Sequence, residues 1–160
     1  MFKFSFVDFC KTNSMFHRRQ LSQVKLEREE FLNDLINSQP AVIYRVVLKK
    51  PYQLDSNGMP VIYYDFFSGQ HEEITGLTDK DLRNNPMKIV QRVHPDDRKA
   101  FIEENASAVK ELRPFKWEGR VVVGDLIKWL RIESNPKVQK NGDILWSGII
   151  IDNTREKMME

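Results

Sequence analysis

The sequence predicts one α+β domain with a five-stranded antiparallel sheet, helices on one face of the sheet and a further helix at each end. Two β-branched and aromatic segments separated by a turn come early in the chain, and three more fill its last third. The region between these two groups has helical spacing of its apolar residues. A chain of 160 residues, 41% of them hydrophobic, suffices for one core.

Composition narrows the classes of partner. The 25 Lys and Arg nearly balance the 23 Asp and Glu, and they are spread along the chain, so we expect no nucleic-acid partner. No apolar run approaches the roughly 20 residues that cross a bilayer, and residues 1–10 lack the apolar core of a signal peptide. We therefore expect no membrane span and a cytoplasmic location. The single cysteine, Cys10, excludes an internal disulfide.

The N-terminal part divides into two segments. Residues 1–13 alternate too briefly to be assigned, and we expect a tail, an edge strand or the remnant of a larger protein. Residues 14–38 have the spacing of an amphipathic helix, whose apolar seam is formed by Leu21, Val24, Phe31 and Leu35. Arg28 interrupts that seam, so the helix either pairs with a second copy, giving a homodimer, or lies against its own domain. Gln39-Pro40 ends the helix.

A strand hairpin follows. Residues 41–48 and 61–67 are β-branched and aromatic, which predicts two strands. Asn57-Gly58 lies between them and readily adopts positive φ, so the two strands are expected to pair antiparallel.

Short helices and then one long helix are predicted between the hairpin and the last third. Thr78 and Asp81 have capping-box spacing for a helix through Leu82. A longer helix is predicted over residues 95–112, because proline suits its first position and apolar residues recur along one face.

The last third predicts a three-stranded meander over residues 115–123, 126–138 and 144–151. Gly124-Asp125 and residues 140–143 suit the two tight reversals. Residues 154–160 form good helical sequence of only about two turns, which is typical of the start of an output helix.

Several short stretches, in order and at suitable intervals, resemble the PAS family, and in particular its subgroup with a His-Pro-Asp-Asp signature. They are EITGLT at 73–78, VHPDDR at 93–98, WEGR at 117–120, KWL at 128–130 with NP at 135–136, NGDI at 141–144 and GIIIDNT at 148–154. The resemblance covers about residues 31–157 and places the PAS domain at 39–153. The sequence departs from the family at two places. The Asp-Ile-Thr that ends the family's domain is Asp152-Asn153-Thr154 here, and the turn at 124–125 is short.

The resemblance implies a sheet of order 2-1-5-4-3, a pocket between sheet and helices, and signalling through flanking helices to an output domain such as a kinase or cyclase. Asp152 and Thr154 are then the expected signal relay, since they lie where the last strand becomes a helix. We expect Thr154 or Asn153 to cap that helix and Asp152 to pair with a basic group. Gly76 is expected to end a helical turn in the left-handed conformation.

The pocket is the main candidate site, for a small-molecule ligand or for none. Alternation and helical stripes give as candidate walls Ile43, Tyr63, Phe66, Ile74, Leu82, Ile89, Val93, Phe101, Val122, Leu130 and Ile149. Polar groups able to orient a ligand are Tyr44, Tyr63, Tyr64, Arg45 and Ser147. A register slip of one residue inverts these lists. If side chains fill the pocket, the domain is a ligand-free dimerising adaptor.

The sequence gives little support for a catalytic site or for a bound cofactor. His94, Asp96 and Asp97 could act as metal ligands or as an acid–base cluster. However, carboxylates are common in the first turn of a helix that begins with proline, and no second His or Cys lies at the spacing of a metal ligand. A small α+β enzyme using His94 and Asp97 remains a remote alternative. Haem is disfavoured because its iron would need a histidine on the inward face of a helix beside the sheet, whereas His94 lies at the start of a helix. Photoactive flavin is disfavoured because it would need a reactive cysteine among the short helices between the hairpin and the last three strands, and Cys10 lies outside that region. We expect His71 at the surface, and no cofactor is specified.

Overall fold

A computed structural model of the chain describes residues 6–38, 40–56 and 58–160, with only the backbone given for residues 6–13. The chain divides into two compact units, Met1–Ser38 and Gln39–Glu160. None of the helices among the described residues combines the length and the apolar content that crossing a membrane requires.

The first unit contains one helix, α1, over Phe6–Asn37. It begins eight residues before the start predicted at residue 14, so the expected tail is corrected over residues 6–13, while residues 1–5 lie outside the described residues. The difference has a simple physical basis, because extending an existing helix adds one hydrogen bond per ordered residue whereas starting a helix is costly. The helix ends where the sequence predicted, just before Pro40.

The second unit is built on one five-stranded sheet, as predicted. All neighbouring strands pair antiparallel, in the order β2-β1-β5-β4-β3. The strands are β1 Ala41–Leu48, β2 Ile62–Phe67, β3 Phe115–Val123, β4 Leu126–Val138 and β5 Ile144–Asp152. The turn before β2 includes Gly58 at φ 80°, while its predicted partner Asn57 lies outside the described residues.

Among the residues of this unit that the structure describes, five helices accompany the sheet: α2 His71–Thr75, α3 Asp79–Asn84, α4 Lys88–Arg92, α5 Pro95–Glu111 and α6 Thr154–Met159. Thr78 and Asp81 form the predicted capping box at the start of α3. Gly76 ends α2 at φ 71°, which confirms the left-handed turn predicted for it. Pro95 occupies the first turn of α5, again as predicted.

The core lies between the inner face of the sheet and the helices α2 to α5. Alternate residues of β1 form its centre: Val42, Tyr44, Val46 and Leu48. A bulge between Arg45 and Val46 shifts the register of β2, so that Tyr64 and Phe67 both pack toward the core although they are three residues apart. On the other side of the core, the Phe101 ring of α5 meets the Trp117 ring edge-on at 4.9 Å between centroids.

Candidate functional site

A cavity of about 70 Å³ lies between the inner face of the sheet and the helices α4 and α5. Every strand contributes to its wall, and Ile89 of α4 with four residues of α5 closes the opposite side. The apolar lining is Val46, Met59, Pro60, Ile62, Met87, Ile89, Phe101, Ala108, Val109, Phe115, Ile132 and Ile150. The wall is therefore mainly aliphatic and aromatic, as is usual for a site that receives a small molecule.

Five side chains bring polar atoms to this wall: Tyr44, Tyr64, Asn105, Ser134 and Trp146. Of the described residues that line the cavity, none is acidic, basic or a histidine. Asn105 already donates its Nδ2 to the Phe101 carbonyl at 2.9 Å. The polar groups of the cavity are therefore neutral hydrogen-bonding groups.

The side chains of Tyr44 and Ser134 lie close together, although a whole strand separates them. In the sheet, Tyr44 of β1 pairs with Gly148 of β5, and Gly148 pairs with Ser134 of β4. A β-carbon built on Gly148 would lie 2.8 Å from Tyr44 Cζ and 2.6 Å from Ser134 Cβ. The absent side chain of Gly148 thus lets the Tyr44 ring lie across β5 and reach Ser134.

Burial shapes the ionisation of the two inner tyrosines. Desolvation raises the pKa of Tyr44 to about 12, although the neighbouring Ser134 side chain acts to lower it. The pKa of Tyr64 is raised as well, first by burial and then by the neighbouring Tyr44. Both hydroxyls are therefore protonated at neutral pH and can donate a hydrogen bond.

Trp146 presents a buried donor without a protein acceptor. Its side chain lines the cavity, the residue is only 4% exposed, and its Nε1 makes no hydrogen bond to any described residue. Its neighbours across the sheet are Val46 and Pro136, whose side chains offer no acceptor. Buried polar atoms in native proteins are nearly always paired, so this indole N–H marks a place where an acceptor is missing.

The predicted pocket residues fall into three groups. Ile89 and Phe101 line the cavity. Four others are buried in the core without lining it: Ile74, Leu82, Val93 and Leu130. The remaining five lie on the opposite face of the sheet, out of register with the core residues of their strands, and their assignment to the wall is corrected: Ile43, Tyr63, Phe66, Val122 and Ile149. The register assumed for them was wrong by one residue.

Sequence reasoning named Tyr44 and Tyr64 as polar candidates and missed Asn105, Ser134 and Trp146 as lining residues. One signal in β1 was available. The charge of Arg45 indicates that its side chain points to solvent, which places Tyr44 inward and Ile43 outward. In β5, the polar residue Ser147 likewise indicates a position that faces solvent, which places its neighbour Trp146 on the inner face of the sheet.

The junction between β5 and α6 is held by a network centred on Asp152. Its Oδ1 accepts hydrogen bonds from the backbone N–H of Thr154 at 3.1 Å and from the Thr154 hydroxyl at 2.6 Å. Its Oδ2 lies 3.2 Å from Lys128 Nζ, so Asp152 has the basic partner that was predicted. Burial acts to raise the pKa of Asp152, but the bonds from Thr154 and Lys128 outweigh it and the pKa is lowered.

The predicted cap of α6 is corrected. Asn153 occupies the N-cap position but its side chain makes no capping bond, since its Nδ2 donates to Glu118 Oε2 at 2.8 Å. The hydroxyl of Thr154 instead accepts the Trp129 backbone N–H at 2.9 Å, and the Asn153 N–H donates to the Trp129 carbonyl at 2.8 Å. The residues thus tie α6 to β4 instead of capping its first turn.

Glu118 of β3 adds a second attachment for α6. Its Oε1 lies 2.7 Å from Lys157 Nζ, and that ammonium also lies 5.6 Å from the centroid of the Trp129 ring. Hydrogen bonding to Lys157 lowers the pKa of Glu118, with burial opposing it. Side chains from three strands, Glu118 of β3, Trp129 of β4 and Asp152 of β5, therefore hold a helix of six residues in place.

The His-Pro-Asp-Asp segment has a structural role. Asp97 receives the Arg120 guanidinium through two bonds, Nη2 to Oδ1 at 2.7 Å and Nε to Oδ2 at 3.0 Å, and also the Arg120 backbone N–H at 2.9 Å. The Arg120 bonds lower the pKa of Asp97. His94 caps α5 by accepting the Asp96 N–H at 3.3 Å. The segment thereby fastens α5 to β3.

His71 is buried, contrary to the surface position predicted for it. Its Nδ1 lies 2.8 Å from the Ser68 carbonyl and its Nε2 lies 2.8 Å from Asp79 Oδ1. Its ring also meets Phe67 edge-on at 4.6 Å. In the part of the chain that the structure describes, no three His, Cys, Asp or Glu side chains cluster to suit a metal ion.

Fold and cavity together define a PAS-type domain, a class to which the comparisons also lead. The family model described as PAS fold matches residues 64–150, which is more than half of the chain. The chain belongs to the PAS-fold family. Comparison with curated proteins finds no match.

Solved structures share the fold at low sequence identity. The N-terminal domain of a diguanylate cyclase with PAS/PAC sensor from Marinobacter aquaeolei is 14% identical, with a TM-score of 0.57, over 73% of this chain and 98% of that one. A domain assigned to a light and redox sensing histidine kinase from Haloarcula marismortui is 16% identical, with a TM-score of 0.54, over 77% and 97%. A PAS domain from Colwellia psychrerythraea is 19% identical, with a TM-score of 0.53, over 79% and 97%.

Proposed function

We propose that this domain binds a small molecule in its cavity and relays binding through β4 and β5 to α6, and from there to an attached output domain. One observation carries the proposal: the same two strands line the cavity and hold α6. In β4, Ser134 lines the cavity, while Lys128 pairs with Asp152 and Trp129 hydrogen-bonds to Thr154 at the junction with α6. In β5, Trp146 lines the cavity, while Asp152 accepts a hydrogen bond from Thr154 at the junction with α6.

The distance between the two sites suits mechanical coupling. Leu130 pairs with Asp152 at the junction, and Ser134 follows four residues along the same strand. At about 3.3 Å per residue, the cavity wall lies about 13 Å from the junction along one strand. Strands in a packed sheet deform little, so a shift of Ser134 or Trp146 displaces the groups that hold α6.

The output domain is proposed to be a kinase, a cyclase or a similar signalling enzyme. The resemblance to PAS domains of a diguanylate cyclase and of a histidine kinase supports this class. The domain itself is proposed to be cytoplasmic and without catalytic activity. The carboxylate of Asp97, which an acid–base mechanism would need, is already paired with the Arg120 guanidinium. The sequence His-Pro-Asp-Asp at residues 94–97 is the basis for proposing that the chain belongs to the subgroup with that signature.

Dimerisation through α1 forms part of the proposal. The seam side chains are exposed on the helix: Leu21 by 59%, Val24 by 62%, Phe31 by 64% and Leu35 by 47%. Their spacing of three, seven and four residues matches the a and d positions that form the core of a coiled coil. Two copies of α1 would bury this seam against each other, with Arg28 as the charged interruption.

A ligand-free adaptor is the second candidate, and the size of the cavity favours it. The volume of about 70 Å³ is well below the roughly 300 Å³ at which ligand pockets ordinarily begin. In that case the domain dimerises and relays contacts without a ligand.

Native mass spectrometry of freshly purified protein distinguishes the two candidates. A ligand-binding sensor retains a small molecule that is released on denaturation, and Ala108→Leu, which fills the cavity wall, abolishes the retained mass. Ala106→Leu is the matched control, because Ala106 lies two residues away on α5 and outside the cavity lining. Protein that is empty from every expression host and growth condition supports the adaptor and contradicts the sensor.

A further inference from the structure

A surface groove of about 620 Å³ lies between the segment that follows β1 and the C-terminal end of α5. Its floor includes the buried side chains of Leu48 and Ile144, and its walls include the exposed apolar side chains of Leu54, Leu112 and Val138. The volume falls within the roughly 300–1,000 Å³ that ligand pockets usually have. The groove can therefore hold a small molecule at the surface of the domain.

The groove continues the inner face of the sheet directly beyond the cavity. Val46 and Trp146 line the cavity and pair with each other across β1 and β5. Leu48 and Ile144 line the groove and form the pair two residues further on. Two residues along a strand span about 7 Å. The cavity and the groove are therefore neighbouring spaces on one face of the sheet.

Val109 of α5 borders both spaces. It lines the cavity and the groove, and its side chain is partly buried against the core. Ala108 beside it lines the cavity and not the groove, whereas Leu112 lines the groove and not the cavity. A β-branched side chain in a helix keeps one preferred rotamer, so Val109 is a stiff partition between the two spaces.

The wall of the groove that faces α5 is fastened to the turn between β4 and β5. The Tyr52 hydroxyl donates to the Gly142 carbonyl at 2.6 Å, and the Lys50 backbone N–H donates to Asp143 Oδ1 at 3.2 Å. These bonds hold the segment that follows β1 in place. Passage between groove and cavity therefore depends on the α5 side, where Val109 lies.

We propose that the groove is the entrance to the cavity and that Val109 is the gate between them. The proposal rests on the proposed function, because it gives the route by which a ligand of the cavity enters and leaves. With Val109 in its observed position the cavity is a separate space of about 70 Å³. When that side chain turns or α5 shifts, the cavity opens into the groove. Val109 thereby determines how large a molecule the cavity admits.

The test measures how fast a thiol in the cavity wall is modified from solution. The complete chain carries Cys10→Ser, which removes its single cysteine, and Ala108→Cys, which places a thiol at a cavity-lining position that is 1% exposed. The probe is methyl methanethiosulfonate, and mass spectrometry follows the transfer of its methylthio group to the thiol. The rate of this reaction reports how often the reagent reaches the cavity.

Variants of the gate are compared in that background. Val109→Ala removes two methyl groups from the partition and should raise the modification rate by about tenfold or more, while Val109→Ile should lower it by about threefold. Ile102→Val is the matched control, because Ile102 is also partly buried on α5 and lines neither space. It should leave the rate within about twofold.

A second pair of variants tests the groove itself. Ser107→Phe places a ring in the groove and should slow the modification by about threefold. Glu103→Phe adds the same ring one turn earlier on α5, at an exposed position that lines neither space, and should leave the rate unchanged. Equal rates in these two variants overturn the groove as the entrance.

Urea distinguishes opening of the gate from unfolding of the domain. Local opening exposes little surface, so the rate should stay within about twofold up to about 1 M urea, whereas a reaction that requires unfolding accelerates steeply. Such an acceleration overturns the gate, as do equal gains in Val109→Ala and Ile102→Val or an unmodified thiol in Val109→Ala. If Ala108→Cys does not fold, Ile132→Cys supplies the thiol, since Ile132 lines the cavity from β4 and is buried.

These outcomes are separate from the outcome for the proposed function. Failure of the gate leaves the ligand site standing, because native mass spectrometry tests that site without the reagent. Protein that is empty from every expression host removes the ligand site, while the thiol still shows whether the groove leads into the cavity.

Discussion

The side chains of Tyr44 and Ser134 meet across an intervening strand, in the space left by the missing side chain of Gly148. This relationship connects β1, β5 and β4 at the level of the cavity. It also explains why a glycine stands in the middle of a buried strand, a position that ordinarily disfavours it.

Gly148→Ala tests that packing. The added β-carbon would lie 2.5 Å from the Glu133 carbonyl oxygen and 2.8 Å from Tyr44 Cζ, so backbone or ring must move. We expect the free energy of unfolding to fall by about 2–3 kcal/mol in urea titrations. Ser147→Ala, at the exposed neighbouring position, should stay within about 0.5 kcal/mol. Equal stabilities for the two variants would show that the strand accommodates a side chain at Gly148.

The buried tyrosines predict a loss of stability at alkaline pH. Because the pKa of Tyr44 is raised from 10.0 to about 12, the folded state keeps a proton that the unfolded state loses. The stabilisation is complete below pH 10 and declines by about 1.4 kcal/mol per pH unit as the pH rises toward 12. Tyr64 acts in the same direction.

Urea titrations between pH 9 and 12 measure this slope. Replacing both residues, Tyr44→Phe with Tyr64→Phe, should flatten it, and the part of the phenolate absorbance that the double variant lacks should appear in the native protein together with unfolding. An unchanged slope in the double variant would assign alkaline unfolding to other groups.

The bond between Asp97 and Arg120 predicts a contribution to acid stability. The pKa of Asp97 is lowered, so its stabilisation is present above the ordinary value of 3.8 and is lost as the pH falls below it. Asp97→Asn should cost about 1–2 kcal/mol at neutral pH and weaken the acid dependence, as measured by urea titration. Asp96→Asn is the control, since that side chain is 75% exposed and should change stability by about 0.5 kcal/mol or less. Equal losses in the two variants would contradict the role given to Asp97.

The junction predicts a local effect on α6. A helix of six residues is not stable alone, so its amides are protected only while Asp152 and Glu118 hold it. Asp152→Asn should raise amide hydrogen exchange in α6 by about tenfold and leave β1 unchanged. Glu156→Gln, an exposed position on α6, should have little effect. Protection of α6 that survives Asp152→Asn would place its anchor elsewhere.

The seam of α1 predicts the oligomeric state. Val24→Glu puts a charge into the proposed coiled-coil seam and should convert the dimer into a monomer in sedimentation equilibrium. Gln23→Glu adds the same charge to a neighbouring position outside the seam and should leave the dimer intact. A monomer at high concentration in the native chain, or a dimer in both variants, would contradict pairing through α1.

Much of the fold could be predicted because its elements carry local signals. The bounds of β1, β3 and β4 match the sequence prediction residue by residue, since turn residues such as Gly124 interrupt clear β-branched runs. The helix at Pro95 likewise begins with its own start signal.

The cavity could be predicted only in part, because its wall depends on which face of each strand points inward. Both faces of β1 and β5 are apolar, so Ile43 and Val42, or Ile149 and Ile150, are indistinguishable by hydrophobicity. The bulge beside Arg45 further breaks the alternation in β2. Contacts such as that between Tyr44 and Ser134 join residues 90 positions apart and leave no local trace in the sequence.

The coupling of cavity and α6 is tested most directly by amide hydrogen exchange of the native chain with its retained small molecule and again after that molecule has been removed. Occupancy, followed by native mass spectrometry, should change exchange of the α6 amides by about threefold or more, and Asp152→Asn should abolish that response. Full occupancy of the cavity with unchanged exchange throughout α6 would contradict the relay.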